Sequence, residues 1–266
     1  MRSLRAIAAV VALAWAGVAT TAHAAPAQPC RVDGLAHEVL CGSVARALDP
    51  ARPDGPQIEV HYVVVPALAQ RKLPDPVFLL AGGPGQSAIS LAPQVMGVFA
   101  RLNNRRDIVF VDQRGTGRSA PLDCDEPREA ALAESADPQA QLRRLAACRE
   151  RLLKLPYVRS AADLGFFTTT LAMQDLDAVR QAIGAERINL VGASYGTRAG
   201  IEYQRQFPGA VRRSVLDGVA PPDMVLPASA AIDAQAALDA LFAACGAEAA
   251  CAREWPLVRQ AWNGLL

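Results

Sequence analysis

The segment that decides the fold is Asn189-Leu-Val-Gly-Ala-Ser-Tyr-Gly-Thr-Arg198, "NLVGASYGTR". A short apolar run at 187–191 reads as a strand, and 195–207 reads as a helix that ends near Pro208-Gly209. A strand that turns this sharply into a helix crowds its own flanks. Gly192 and Gly196 let neighbouring backbone pack close, and Ser194 is lifted into a strained position with its hydroxyl exposed. The new helix aims free N–H groups at the same spot, so the N–H of Tyr195 is placed to meet an oxyanion. A bare Gly-x-Ser-x-Gly arises by chance; between a strand and a helix it reads as a nucleophile elbow.

Working outward, 57–65 ("QIEVHYVVV") reads as a strand with Ile58, Val60, Tyr62 and Val64 on one face. Two short runs of the fully buried type follow, 76–81 ("PVFLLA") and 107–111 ("DIVFV"), and 212–217 ("RRSVLD") is the last clear strand. Thr170 reads as the N-cap of a helix carrying Leu176, Val179 and Ile183 on one face. Asp175 and Asp177 fall near its positive end, and Gly184 stops it. In 138–155, Leu142, Leu145, Leu152 and Leu153 mark an apolar stripe. Strands alternating with helices predict an α/β fold, a mostly parallel sheet with helices on both faces. Functional loops of such a sheet lie at the carboxyl ends of its strands.

Three glycine-bearing loops fall there, after residues 81, 111 and 191. In Gly82-Gly83-Pro84-Gly85-Gln-Ser87, Gly83 is the candidate second oxyanion donor. Glycine lets the backbone approach the substrate without a Cβ in the way, and Gly82, Pro84 and Gly85 support the motif. Taken alone the loop is a plain turn, and a phosphate-binding reading fails because no Gly-Lys-Ser/Thr follows. In Asp112-Gln-Arg-Gly-Thr-Gly-Arg-Ser119, Asp112 and Arg114 are expected to form a charge-assisted network under the site. An ordinary polar turn accounts for this loop equally well on chemistry alone.

Together these motifs carry a resemblance. The sequence resembles the α/β-hydrolases of the prolyl aminopeptidase and tripeptidyl aminopeptidase family of serine peptidases. The likeness lies in "GGPGQS", "DQRGTGRS", "DLDAVRQAIGAERINLVGASYGTR" and "VLDGVAPP", and covers about residues 30–265. The secreted tripeptidyl aminopeptidase branch is similar also in its early cysteine pair and in "PARPDGPQIEV". The resemblance implies Ser194 as nucleophile, Gly83 and Tyr195 as oxyanion donors, a peptide substrate, and no cofactor or metal. One departure is Ala81, where many relatives carry His, Pro or Asn.

Composition sets the surroundings. The 266 residues carry net charge +1 and are 52% apolar, which fits a buried core and excludes a disordered chain. The balance gives no electrostatic case for nucleic acid or an anionic membrane. Arg2 and Arg5, an apolar run from Ala6 to Val18 and Ala22-His23-Ala24 resemble a secretory signal peptide spanning 1–24, too short for a stable membrane anchor. Six cysteines follow it, Cys30, Cys41, Cys124, Cys148, Cys245 and Cys251, an even number that suggests disulfides in a secreted or periplasmic protein. Proximity favours pairing them in that order, and no Cys-x-x-Cys or ligand-spaced histidine supports a metal site.

The base is the open question, because a serine hydroxyl needs one beside it. In this fold the order is Ser, then Asp or Glu, then His, yet His23, His37 and His61 all precede Ser194. His37 reads as a loop residue, His61 as mid-strand and far from the carboxyl-end loops, and Asp217 as structural. The expected organisation is therefore a core at 25–220, incomplete in its C-terminal strands, and the start of a helical lid at 221–266. A chain with no downstream Asp and His, and with an unpaired sheet edge, is expected to be poorly soluble and close to inactive alone. An esterase on the same scaffold and a non-catalytic binding protein are the alternatives.

Overall fold

The computed structural model describes residues 27–124, 137–225 and 228–265; the expected leader lies outside them. The chain opens with a β-rich segment, Gln28–Cys30 (β1), Val39–Ala47 (β2) and Gln57–Val65 (β3). Val77–Leu80 (β4), helix Ala88–Asn103 (α1) and Ile108–Val111 (β5) follow. Next come Pro138–Leu152 (α2), Thr169–Ala182 (α3), Ile188–Ala193 (β6), Tyr195–Gln206 (α4) and Val211–Asp217 (β7). Three helices close the described chain, Ala228–Ala247 (α5), Ala249–Glu254 (α6) and Val258–Asn263 (α7).

The strands form one sheet in the order β1-β2-β3-β5-β4-β6-β7. Strands β5, β4, β6 and β7 pair in parallel, while β1, β2 and β3 join as antiparallel neighbours. The fold is thus α/β, with the parallel half carrying the elbow. The period of two divides the core cleanly. Phe78, Leu80, Val109, Val111, Ile188 and Leu190 face α3 and α4, joined by Ile58, Val60, Tyr62 and Val64 of β3. Val77, Leu79, Ile108 and Phe110 face the other way, against Ala88, Ala92 and Phe99 of α1. Beyond α1 that second face is open: Val215 is 60% exposed and borders a cleft of about 220 Å³ with Leu102 and Val191.

Several sequence expectations need correction. The N-cap of α3 is Thr168, whose side chain accepts from the N–H of Leu171 at 3.3 Å, and not Thr170; in a Thr-Thr-Thr run each residue offers the same capping oxygen. Asp175 and Asp177 do not serve the helix dipole but lie mid-helix and buried. Arg114 grips Asp175 through Nε (2.7 Å) and Nη2 (2.9 Å), and Arg46 of β2 adds a third contact at 3.0 Å. The first half of the stripe on α2 faces solvent, with Leu142 59% and Leu145 65% exposed, while Leu152 and Leu153 are half-buried. That helix is held by the Cys124–Cys148 disulfide. The other bridges are Cys30–Cys41 and Cys245–Cys251, each the pair nearest in sequence.

Asp177 links α3 to α4 by accepting the hydroxyl of Tyr203 at 2.8 Å. Burial pushes the Asp177 carboxyl up, but Arg180, Tyr203 and Gln181 outweigh it and hold it below the usual range. Its contribution is therefore fully present above the unfolded value, about 3.9, and is lost as pH falls through the lower native value. Acid unfolding curves are expected to show a shallower fall below about pH 4 for Asp177→Asn than for the parent; parallel curves would remove this role. Asp175→Ala is expected to cost about 3–5 kcal/mol in urea unfolding, because it strands the buried Arg114 guanidinium. A loss within experimental error would show that the pair contributes nothing.

Candidate active site

The site grows from the end of β6. Ser194 has φ 53 and ψ −123, a conformation that costs a non-glycine residue about 1–3 kcal/mol and persists only where its surroundings enforce it. The enforcing bonds are visible. The N–H of Ser194 donates to the Asp217 carbonyl at 2.9 Å. Its carbonyl accepts from the N–H of Thr197 at 2.9 Å and from Thr197 Oγ1 at 2.6 Å. Gly192 and Gly196 face one another, and a Cβ on Gly196 would run into the carbonyl of Leu80. The outcome is an exposed Ser194 standing at the N-terminus of α4, whose first N–H groups have no partner within the helix.

The Gly82–Gly85 loop lies against this elbow. A Cβ on Gly82 would sit 3.3 Å from the Ala193 carbonyl and 3.5 Å from Ser194 Cβ. Gly83 follows with φ +105, joined to Pro84 by a cis peptide bond, and Gly85 has φ +102. A side chain at Gly83 would also meet the Gly85 N at 2.9 Å. The structure thus brings Gly82 beside Ser194, with Gly83, Pro84 and Gly85 forming an exposed loop at its rim. Tyr195 begins α4, and its hydroxyl shares a 2.6 Å hydrogen bond with Thr169 Oγ1 at the start of α3.

The expected Asp112–Arg114 network is not formed. The two buried side chains point into separate systems. Asp112 accepts from Ser87 Oγ at 2.7 Å, from the N–H of Ile89 at 3.1 Å and from the N–H of Arg118 at 3.0 Å. One carboxylate thereby ties the Gly-Gly-Pro-Gly loop and the start of α1 to the Asp112–Ser119 loop. Arg114 points elsewhere, onto Asp175 and the carbonyls of Leu48 and Phe166, the last two at 2.9 Å each. A Cβ on Gly117 would collide with the Asp112 carboxylate, which explains that glycine. Ser87, Ser119 and Asp175 were missed as site-supporting residues. Ser87 and Ser119 end their motifs, and Asp175 betrays itself only as an acid on the helix face that also buries Ala172 and Val179.

His61 is also not where it was expected. Strand β3 runs antiparallel to β5, so its middle is level with the carboxyl end of β5. The N–H of Asp112 donates to the His61 carbonyl at 3.1 Å, and the His61 N–H donates to Ser119 Oγ at 2.8 Å. Burial, then Arg118, holds its imidazole below the usual value. Yet three strand spacings separate β3 from β6, roughly 14 Å across the sheet, too far for a direct proton transfer with Ser194. Among the described residues no histidine reaches that serine. Asp217 enters through its backbone, as the acceptor for the Ser194 N–H.

Comparison with known proteins gives the fold family. Residues 75–244 match the family model described as the alpha/beta hydrolase fold. Over 204 residues the chain is 33% identical to the tripeptidyl aminopeptidase of Streptomyces lividans, covering 73% of this chain and 38% of that protein. It is 31% identical over 214 residues to serine protease Hip1 of Mycobacterium tuberculosis, covering 73% and 39%. The proline iminopeptidase of Neisseria meningitidis is 27% identical over 144 residues, covering 54% and 32%. The chain thus spans less than two fifths of the length of these relatives.

The close approach at residue 196 yields a test. Gly196→Ala is expected to cost about 1–3 kcal/mol or more by overpacking α4 against β4. A thermal midpoint equal to the parent's would mean that the elbow has room that the backbone does not show.

Proposed function

The chain belongs to the α/β-hydrolase fold family, and on that premise we propose that it is a serine hydrolase, a peptidase that cleaves short pieces from peptide amino termini. The observation that carries this reading is the exposed, strained Ser194 between the Gly82–Gly85 loop and the first turn of α4. In the proposed reaction Ser194 Oγ attacks the scissile carbonyl carbon and gives up its proton to a base. The carbonyl oxygen becomes an oxyanion, met by the N–H groups of Gly83 and Tyr195. Collapse expels the amine, which takes the proton, and leaves an ester on Ser194. Water then hydrolyses that ester by the same steps in reverse order. The reading needs no metal and no cofactor.

Asp112 and the buried Arg114–Asp175 pair act as support, fixing the loops that frame Ser194. Residues 25–220 form the core in this reading, and 221–266 begin a lid over it. Three disulfides support export to an oxidising compartment, secreted or periplasmic. The aminopeptidase preference rests on relatives that bear such names. No described histidine reaches Ser194, so we expect the chain by itself to turn over substrate weakly, and its open β7 edge to limit solubility.

The deciding experiment is an active-site label. An alkyl fluorophosphonate is expected to modify Ser194, mapped by mass spectrometry, and to leave Ser194→Ala unlabelled. Hydrolysis of a tripeptide anilide with a free amine is expected to remain within about 10³–10⁴-fold of the uncatalysed rate. Labelling elsewhere, or labelling that survives Ser194→Ala, would overturn the assignment. Cleavage of a nitrophenyl ester with no action on the anilide would move the function to an esterase.

A further inference from the structure

The segment that leaves β7 stays fastened to the elbow. The Asp217 carbonyl holds the Ser194 N–H. Gly218 follows with φ +65, and a Cβ there would stand 4.0 Å from the Ser194 nitrogen. The N–H of Ala220 donates to Thr197 Oγ1 at 2.8 Å, and that same hydroxyl donates to the Ser194 carbonyl at 2.6 Å. Arg198 then reaches across: its Nη2 donates to the carbonyls of Pro221 at 2.7 Å and Met224 at 2.8 Å. These two carbonyls belong to one turn, closed by the Met224 N–H on the Pro221 carbonyl at 3.0 Å. Helix α5 starts four residues later, at Ala228.

Nothing about α4 itself asks for this arginine. A cation in the first turn of a helix works against the partial positive charge there. Arg198 Nε is buried without a hydrogen-bond partner, so among the described residues the side chain is anchored by the 221–224 turn alone. That is the signature of a residue placed to hold something outside its own helix.

We infer that Arg198 is a positioning residue for the Ser194 site: it pins the 221–224 turn to the first turn of α4 and so sets where α5 departs from the rim, and how large an acyl group reaches the serine. The clamp is a property of the fold. Its effect on substrate size rests on the serine-hydrolase reading. A small electrophile needs no more room than the exposed hydroxyl offers. A peptide-sized one is expected to be sensitive also to where the chain held by Arg198 runs.

The test uses Arg198→Met and Arg198→Lys in the full chain with disulfides intact. Hydrogen exchange is expected to speed up about tenfold or more at the Met224 amide in Arg198→Met, and less in Arg198→Lys, which keeps one charged donor. Amides of β4 and β5 are expected to keep parental protection. Labelling of Ser194 by a small alkyl fluorophosphonate is expected to stay within about twofold of the parent, and labelling by a tripeptidyl phosphonate to change about tenfold. Unchanged exchange at Met224 overturns the clamp, and a parallel drop with both probes overturns the size-gating role. If the parent takes neither probe, the serine-hydrolase reading fails and exchange alone decides on the clamp. If Arg198→Met loses protection across β4 and β5, Arg198→Lys carries both comparisons.

Discussion

Helix α4 starts one residue after Ser194 and meets β4 backbone to backbone. A side chain at residue 196 would occupy the space of the Leu80 carbonyl, and one at residue 192 would strike the carbonyl of Gly196. The approach continues along the helix, where a Cβ on Gly200 would stand 2.9 Å from Leu216 Cδ2 and 3.3 Å from Leu80 Cδ1. Removing side chains here is what lets a helix N-terminus sit at the level of the strand end. The rest of the site is arranged around that contact: the loop after β4 lies on one side of the serine and the chain after β7 on the other.

Among the described residues, charge is used in the loops and core around the serine and not in contact with it. The Arg114–Asp175 pair sits in the core with both partners nearly unexposed, and each remaining donor of the guanidinium that the structure pairs goes to a backbone carbonyl. A buried pair of this kind adds little net stability against an apolar replacement, but leaving one partner alone is costly. Its geometric effect is to lock β2, α3 and the loop after β5 to one point. Asp112 does the same for backbone N–H groups nearer the surface. Two carboxylates that look interchangeable in the sequence thus divide the task of holding three loops in register.

Much of this was legible from residue pattern. The alternation in β3 named its buried face correctly, and the apolar runs of β4, β5 and β6 were found because strands buried on both faces need no alternation. Other elements left weaker traces. Strand β2 carries Gly42, Arg46 and a bridged cysteine, so its periodicity is diluted, and α1 contains Pro93, which reads as a helix breaker. The side-chain partners were the least visible. Arg114 lies two residues from Asp112 and 61 from Asp175, and the sequence offers no reason to prefer the distant acid. The misplacement of His61 has the same origin: strand direction decides which end of β3 faces the loops, and direction is a tertiary fact.

The disulfides have a bearing on how the chain reaches this state. They close separations of 11, 24 and 6 residues, and none spans the sheet. In a chain delivered amino end first, each cysteine that opens a pair finds its partner before the next pair emerges. Emergence in that order favours this one of the fifteen ways of pairing six thiols. The staples also sit outside the parallel half of the sheet: one on the β1–β2 hairpin, one on α2 and one between α5 and α6. The framework around Ser194 is therefore held by packing, hydrogen bonds and the buried Arg114–Asp175 ion pair, and oxidising chemistry can fasten the periphery without dictating the centre.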